Sequence, residues 1–197
     1  MTLAVFASGG GTNFQALIDA TVDGRLPARI ALCVSNRADA GALQRARHAE
    51  IATCVMDPRT VTGYEEKLLA VLDAHGVDFI ALAGYLRKIP GAVVRRFRGR
   101  MVNIHPALLP DFGGPGMYGL RVHQAVLAAG AKESGATVHF VDEEYDTGAI
   151  VLQGRVPVLP GDTPESLAKR VLEVEHRLYP EALNRILGER TNNPHHN

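Results

Sequence analysis

The stretch Met101–Pro110, MVNIHPALLP, carries a carboxamide, Asn103, and an imidazole, His105, two positions apart, followed by the turn-forming Pro106. In a strand, residues two apart project to the same face. Asn103 and His105 are therefore expected to face one site, with Ile104 turned the other way. A carboxamide donor beside an imidazole is equipment for stabilising a developing oxyanion and for moving a proton. The same residues also suit a core strand that ends in a Pro-capped turn.

Three other groups are chemical candidates. Ser8-Gly9-Gly10-Gly11-Thr12-Asn13 stands between an apolar run and a helical pattern. Glycines there let backbone N–H groups turn toward a ligand, and a helix N-terminus favours an anion. Phe14 stands where a dinucleotide fingerprint needs Gly or Ala, the Gly-Lys-Ser/Thr of a Walker loop is absent, and Ser35-Asn36-Arg37 replaces the acidic residue expected after strand two. The reading is a single small phosphate rather than NAD; the alternative is a tight turn with a Thr or Asn cap. Asp146, before Thr147-Gly148, is ordinary turn chemistry. If that turn folds back toward strand five, Asp146 becomes a carboxylate partner that orients and charges His105. Glu175 lies four residues after Val171 and three before Leu178, on or beside an apolar stripe. It is either a snorkelling edge residue or an acid aimed at a cationic or hydroxyl group of a ligand. His139 reads as a satisfied core histidine.

The elements that must position these groups follow from periodicity. Strands are expected at Leu3–Ala7, Arg29–Val34, Ile51–Met56, Val77–Ala83 and Met101–Ile104. Helices are expected from Thr12, at Ala40–Glu50, Thr62–His75 and Pro90–Phe97. Such βαβα alternation argues for an α/β fold: a doubly wound, mostly parallel sheet with helices on both faces. After the Gly/Pro loop Asp111–Gly119 comes a helix at Leu120–Ala129. Two β-rich runs, Ala136–Val141 and Ile150–Val158, are then separated by a gap too short for a helical crossover, so they should pair antiparallel near the C-terminus. A last helix opens with Thr163 as N-cap and Pro164 at N1, and carries Leu167, Val171, Val174 and Leu178 as its stripe. One domain is expected over residues 1–188, with a flexible tail at 189–197.

The 197 residues are 46% hydrophobic and 21% charged, with zero formal net charge. That is ordinary for a globular protein and gives no nucleic-acid footprint. The two cysteines, Cys33 and Cys54, lie in strand-like stretches without metal-ligand spacing, which fits reduced, buried thiols. No apolar window is long enough for a membrane span, and MTLAVF reads as a first strand, not a signal peptide. A cytoplasmic location is the expectation.

Taken together, SGGGTNFQALIDA, VSNRADAGALQRA, LAGYLRKI, GRMVNIHPALLP, GATVHFVDEEYDTGAI and EHRLYPEAL resemble, in that order, the phosphoribosylglycinamide formyltransferase family of purine synthesis. The resemblance covers nearly the whole chain. It implies a Rossmann-like domain that binds phosphate and folate, with Asn103, His105 and Asp146 catalytic. It implies that Gly11, Thr12 and Asn13 hold the substrate phosphate and that Pro106 and Glu175 contact the ribonucleotide. It implies a folate site of Leu82, Tyr85, Leu86, Arg87, Lys88, Ile89, Val94, Val138, His139 and Val141. The implied reaction is direct attack of the glycinamide ribonucleotide amine on 10-formyltetrahydrofolate, a co-substrate, without metal, in a monomer or homodimer. The alternatives are a hydrolase of the same folate, whose relatives carry an extra N-terminal domain for which this chain has no room, and a phosphate- or nucleotide-binding module without chemistry. One departure stands out: many members read PGLH.H after LLP. This chain reads FGGPGMYGLRVH, a longer loop with Arg121 in place of a His, while His123 keeps the later one.

Overall fold

The computed structural model describes residues 1–192, and side chains as far as Glu189. Strands and helices alternate: β1 (Thr2–Phe6), α1 (Thr12–Val22), β2 (Arg29–Ser35), α2 (Gly41–His48), β3 (Ala52–Val55), α3 (Tyr64–Ala74), β4 (Phe79–Leu82), α4 (Gly91–Arg96), β5 (Met101–His105), α5 (Leu120–Ala128), β6 (Glu133–Phe140), β7 (Ile150–Pro157) and α6 (Pro164–Asn192). The strands order as β3-β2-β1-β4-β5-β6-β7 in one sheet. The pairs β1/β2, β1/β4 and β2/β3 are parallel and β6/β7 is antiparallel. The expected mostly parallel α/β sheet with an antiparallel pair near the C-terminus is therefore present. By compactness the chain divides into two units, residues 1–102 and 103 onward.

In the first unit, strands buried on both faces are apolar throughout, as parallel strands under helices must be. Leu3, Ala4, Val5 and Phe6 of β1, Leu32, Cys33 and Val34 of β2, and Phe79, Ile80 and Ala81 of β4 are fully buried. Phe14, Leu17 and Ile18 are the inward face of α1, at the spacing that places them on one side of a helix. After β3 the chain returns to pair β4 beside β1, so β1 and β4 are neighbours whose carboxyl ends lead into the Ser8–Asn13 loop and the Ala83–Ile89 segment. Carboxyl ends of strands at such a reversal of order are where open α/β sheets bind ligands.

In the second unit, α6 packs on β6 and β7. Its expected stripe is buried, from Leu167 at 0% to Val174 at 9% exposed. Gly154 permits the approach, because a Cβ there would strike Val174 Cγ1. Thr163 caps α6 as expected: Ser166 N–H donates to Thr163 Oγ1 at 3.2 Å, and Thr163 N–H donates to Ser166 Oγ at 3.0 Å. The helix continues through Pro180 to Asn192, beyond the expected boundary near Gly188. Residues 193–197 of the expected tail lie outside the described residues.

Candidate active site

In the first unit, Gly11 is the N-cap of α1, with φ 73°, and no side chain caps this helix. The alternative of a Thr or Asn side-chain cap is not what forms. A Cβ on Gly11 would stand 2.7 Å from the Cβ of Ala42 in α2, so this glycine lets two helices meet as well as turning the loop. Gly9 and Gly10 are exposed, and a Cβ at either would meet nothing. Arg45 Nε–H donates to Gly10 C=O at 2.7 Å, and Ala42 N–H donates to Gly9 C=O at 3.1 Å. The loop's carbonyls are thus drawn toward α2.

Ser8 ties this loop to the end of β4. It is 1% exposed, its hydroxyl donates to Asn36 Oδ1, and it accepts the Leu86 N–H at 2.8 Å. Ser8 N–H also donates to Gly84 C=O at 3.0 Å. Sequence reading missed this strap; the small hydroxyl before three glycines was its only signal. Of the folate candidates in this unit, Leu82, Ile89 and Val94 are buried, Tyr85 and Arg87 half-buried, and Leu86 and Lys88 exposed. Tyr85 lies edge-on to Phe6, its hydroxyl is 2.9 Å from that of Tyr64, and burial raises its pKa above the ordinary phenol value. Arg87 Nε lies 3.7 Å from Asp57, whose carboxyl is pulled down to about 2, chiefly by its hydrogen bonds from Arg59. Neither thiol is suited to be a nucleophile: burial pushes Cys33 up to about 12 and also raises Cys54.

The second unit gathers the titratable groups. His105 ends β5 at 4% exposed, and its Nδ1 lies 3.6 Å from Asp146 Oδ2. The turn after β6 does fold back, so the long-range partnership expected of these two residues is formed. Asp146 sits at φ 57°, an unusual backbone conformation for a non-glycine residue. Gly114 N–H donates to its Oδ2 at 2.9 Å, and His139 Nε2 lies 3.4 Å from its Oδ1. Gly148 makes the turn possible, because a Cβ there would run into the Phe140 carbonyl. Asn103, half-buried on β5, holds its Nδ2 3.2 Å from His139 Nε2. Val138 and His139, expected at the folate, are 0% and 2% exposed; Val141 and Pro106 are half-buried.

The electrostatics correct one expectation. A charged imidazolium at His105, sustained by Asp146, was anticipated. The structure instead lowers the His105 pKa below the ordinary value, because burial outweighs the pull of Asp146 and the Phe112 carbonyl. Burial also lowers His123, on α5, helped by the charge of His105. For Asp146 burial alone would raise the pKa, but the hydrogen bond from His139, the charge of His105 and the Gly114 N–H together hold it below the usual value.

The loop 111–119 contributes more than its sequence suggests. His105 Nε2 donates to Phe112 C=O at 2.8 Å, with Phe112 at φ 56°. A Cβ on Gly113 would meet Leu109 Cδ2 at 2.6 Å and Asp146 Cβ at 3.2 Å. Thr137, fully buried, clamps the chain after His105. Its Oγ1 donates to Ala107 C=O at 2.7 Å and accepts from Leu109 N–H at 3.0 Å and Gln153 Nε2 at 2.9 Å. Backbone carbonyls and a neutral hub leave no signature in a sequence, so these contacts were not legible there. Glu175 is 6% exposed on α6, beside Tyr179, so it is buried and not a snorkelling edge residue. Among the described residues no cluster of three or more His, Cys, Asp and Glu side chains has the arrangement of a metal site, and no helix is long and apolar enough to cross a membrane.

A phosphoribosylglycinamide formyltransferase of Arabidopsis thaliana, named as chloroplastic, is 49% identical over 193 residues; the match covers 95% of this chain and 66% of that protein's length. The crystal structure of a phosphoribosylglycinamide formyltransferase from Bacillus halodurans superposes with a TM-score of 0.90 at 37% identity, covering the whole of both chains. A formyltetrahydrofolate deformylase from Pseudomonas syringae pv. tomato is more distant, with 25% identity and a TM-score of 0.85 over 96% of this chain and 62% of that one. Residues 1–183 match the formyl transferase family model, and the chain belongs to that family.

Proposed function

We propose that this chain transfers the formyl group of 10-formyltetrahydrofolate to the amine of 5'-phosphoribosylglycinamide in purine synthesis. The observation that carries the reading is the Asn103, His105 and Asp146 constellation, with His105 Nδ1 3.6 Å from the Asp146 carboxylate, in a member of the formyl transferase family. The nucleophile is the substrate's own amine, which agrees with two thiols made poor nucleophiles by burial.

In this scheme the amine attacks the formyl carbon, and the carbonyl electrons move onto oxygen. The Asn103 amide N–H and the His105 Nε2–H stabilise that oxyanion, a contribution of about 3–4 kcal/mol per donor at a preorganised site. The attacking nitrogen, cationic after addition, gives up a proton. The folate nitrogen accepts one as its bond to carbon breaks and the oxyanion reforms a carbonyl. A His105 held near neutrality by burial suits this shuttle better than a permanently charged one, because it must both take and give a proton. Asp146 supports the charged form when it arises. Phe112 C=O already engages His105 Nε2, so the substrate oxygen competes with that carbonyl for one N–H.

The Gly9–Asn13 backbone takes the ribose phosphate at the start of α1, and Glu175 takes the ribose or amine end. Leu86, Lys88 and Val141, with the flanking Tyr85, Arg87 and Pro106, are the folate candidates with exposed or half-buried side chains. Leu82, Ile89, Val94 and Val138 shape those segments from beneath. The catalytic scheme needs no metal, and the expected location is the cytoplasm. The test is folate turnover by the purified chain with and without the ribonucleotide. Formylated ribonucleotide formed in step with deformylated folate is the expected result. Equal folate consumption without the amine, releasing formate, would assign the hydrolase reading that the likeness to a deformylase keeps open.

A further inference from the structure

We propose that the Ser8 hydroxyl, which opens the glycine-rich segment in sequence, is a positioning group for the folate segment after β4 and not for the ribonucleotide phosphate. The proposal rests on the reading of Leu86 and its neighbours as folate contacts, and deepens it by naming what holds them in place.

Ser8 stands where β1 gives way to the glycines, at the reversal of strand order. The parallel ladder with β4 runs up to this point: Ala83 N–H donates to Phe6 C=O at 2.8 Å, and Ser8 N–H donates to Gly84 C=O at 3.0 Å. In a parallel pair the next bond runs back to the carbonyl of the same residue, from a donor two positions further along the partner. That donor is the Leu86 N–H, and it goes to Ser8 Oγ at 2.8 Å instead. The hydroxyl stands in for the carbonyl. The pairing gains one more bond while the main chain of Ser8 turns off into the glycines. An N–H only donates, so the hydroxyl oxygen accepts here, and its one hydrogen goes to Asn36 Oδ1, just past the end of β2. One side chain, 1% exposed, thus joins the ends of three neighbouring strands.

Ser8 holds Gly84 by its N–H and Leu86 by its hydroxyl, and these two contacts bracket Tyr85. Gly84 takes a left-handed φ of 76° at the bend, and Tyr85 rests edge-on against Phe6 with ring centroids 5.3 Å apart. The bracket presents Leu86 outward, 50% exposed, while its N–H stays bonded inside. An alanine at position 8 takes away the acceptor of that N–H, and an orphaned donor draws the backbone around it toward another partner. The glycines have a different support. Gly9 C=O accepts from Ala42 N–H at 3.1 Å, and Gly10 C=O accepts from Arg45 Nε–H at 2.7 Å. Gly41 lacks the Cβ that would press on the Gly10 carbonyl oxygen at 3.2 Å. Those contacts come from α2 and do not pass through the hydroxyl. Two consecutive residues, Ser8 and Gly9, therefore answer to different elements, and the Ser8 side chain acts on the folate side.

Backbone amide exchange read by NMR and steady-state kinetics test this together. In the wild-type protein the Leu86 amide should exchange at least ~10-fold more slowly than an open loop does; an unprotected Leu86 amide overturns the proposal. Ser8→Ala should speed Leu86 exchange by ~10-fold or more and leave Gly10 and Gly11 within about 2-fold of wild type. Its folate KM should rise about 5–10-fold, the loss of one hydrogen bond, with kcat and the ribonucleotide KM within about 2-fold. Asn36→Ala spares the acceptor of Leu86 and frees only the hydroxyl's hydrogen, so the folate KM should rise about 2–3-fold. Added to Ser8→Ala it should cost no more than ~2-fold further, because the two side chains act as a unit. A ribonucleotide KM that rises as much as the folate KM, or a loss confined to kcat, makes Ser8 part of the phosphate loop or of the general scaffold and overturns the proposal. Leu86→Asp separates the proposal from the reading beneath it. If Leu86→Asp raises the folate KM and Ser8→Ala does not, the proposal alone fails; if neither raises it, the folate reading of this segment fails and the proposal with it.

Discussion

In the first unit, the candidate anion site is one short segment, Ser8–Asn13, whose equipment is backbone and whose Gly9, Gly10 and Thr12 are exposed. In the second, the candidate catalytic group draws on Asn103, His105, Phe112, Gly114, His139 and Asp146, from two strands, a loop and a turn, and its two histidines are buried. The loop can bind an anion with almost any side chains, provided its glycines turn N–H groups outward. The cluster must match donor to acceptor at every contact, since each buried mismatch costs about 1–3 kcal/mol. A binding loop is thus tolerant where it is open, and a proton-transfer site is intolerant throughout.

The largest effect that tests this contrast is at the Asp146 carboxylate. Asp146→Asn removes the larger of the two contacts that oppose burial at His105, so the His105 pKa should fall further and kcat should drop by roughly 10²–10⁴. Combined with His105→Asn it should be scarcely worse than either change alone, as expected for a unit. Losses that multiply would separate Asp146 from His105 and return it to a turn residue.

Next comes Gly148→Ala, where the added methyl meets the Phe140 carbonyl. Stability should fall by about 1–3 kcal/mol, as overpacking does, and kcat should fall with it. A urea melt beside a rate measurement checks both; unchanged kcat would mean that the turn does not govern the cluster.

The loop sharpens the contrast from the other side. Gly10→Val adds bulk to open space, so stability should stay within ~0.5 kcal/mol of wild type. The ribonucleotide KM should rise about 10–100-fold as charged hydrogen bonds are lost, with the folate KM nearly constant. Gly11→Ala should destabilise instead, because it strikes Ala42 at a positive φ. Equal behaviour of the two glycines would make the loop purely structural.

A smaller effect is expected from pH. His105 and His123 both have folded-state pKa values below the ordinary value of about 6.5. Between the folded and unfolded values the unfolded chain binds more protons, so this stability is fully present above about 6.5 and is lost as pH falls through the folded values. Asp146, held low, adds stability that persists above the ordinary carboxyl value of about 3.9 and is lost as pH falls through its folded value. His123→Gln should flatten the midpoint-against-pH curve in the histidine range. An unchanged curve would show that His123 does not titrate on unfolding. The smallest effect is none: exhaustive chelation should leave the rate unaltered, and loss restored by added zinc would break the scheme.

What the sequence by itself determined is what local periodicity and short spacing encode. The αβ alternation, the Thr163 cap, the α6 stripe, the glycine loop and the shared face of Asn103 and His105 each depend on residues within a turn or two of one another. A motif even named Asp146 as a partner, though it could not say that the turn folds back. Only the tertiary structure decided the rest. It made Gly11 an N-cap pressed on Ala42, buried Glu175, and turned two backbone carbonyls, Phe112 and Phe140, onto ring nitrogens. It also lowered the His105 pKa where a raised one was expected, because desolvation depends on everything packed around a side chain and no neighbour in sequence reports it.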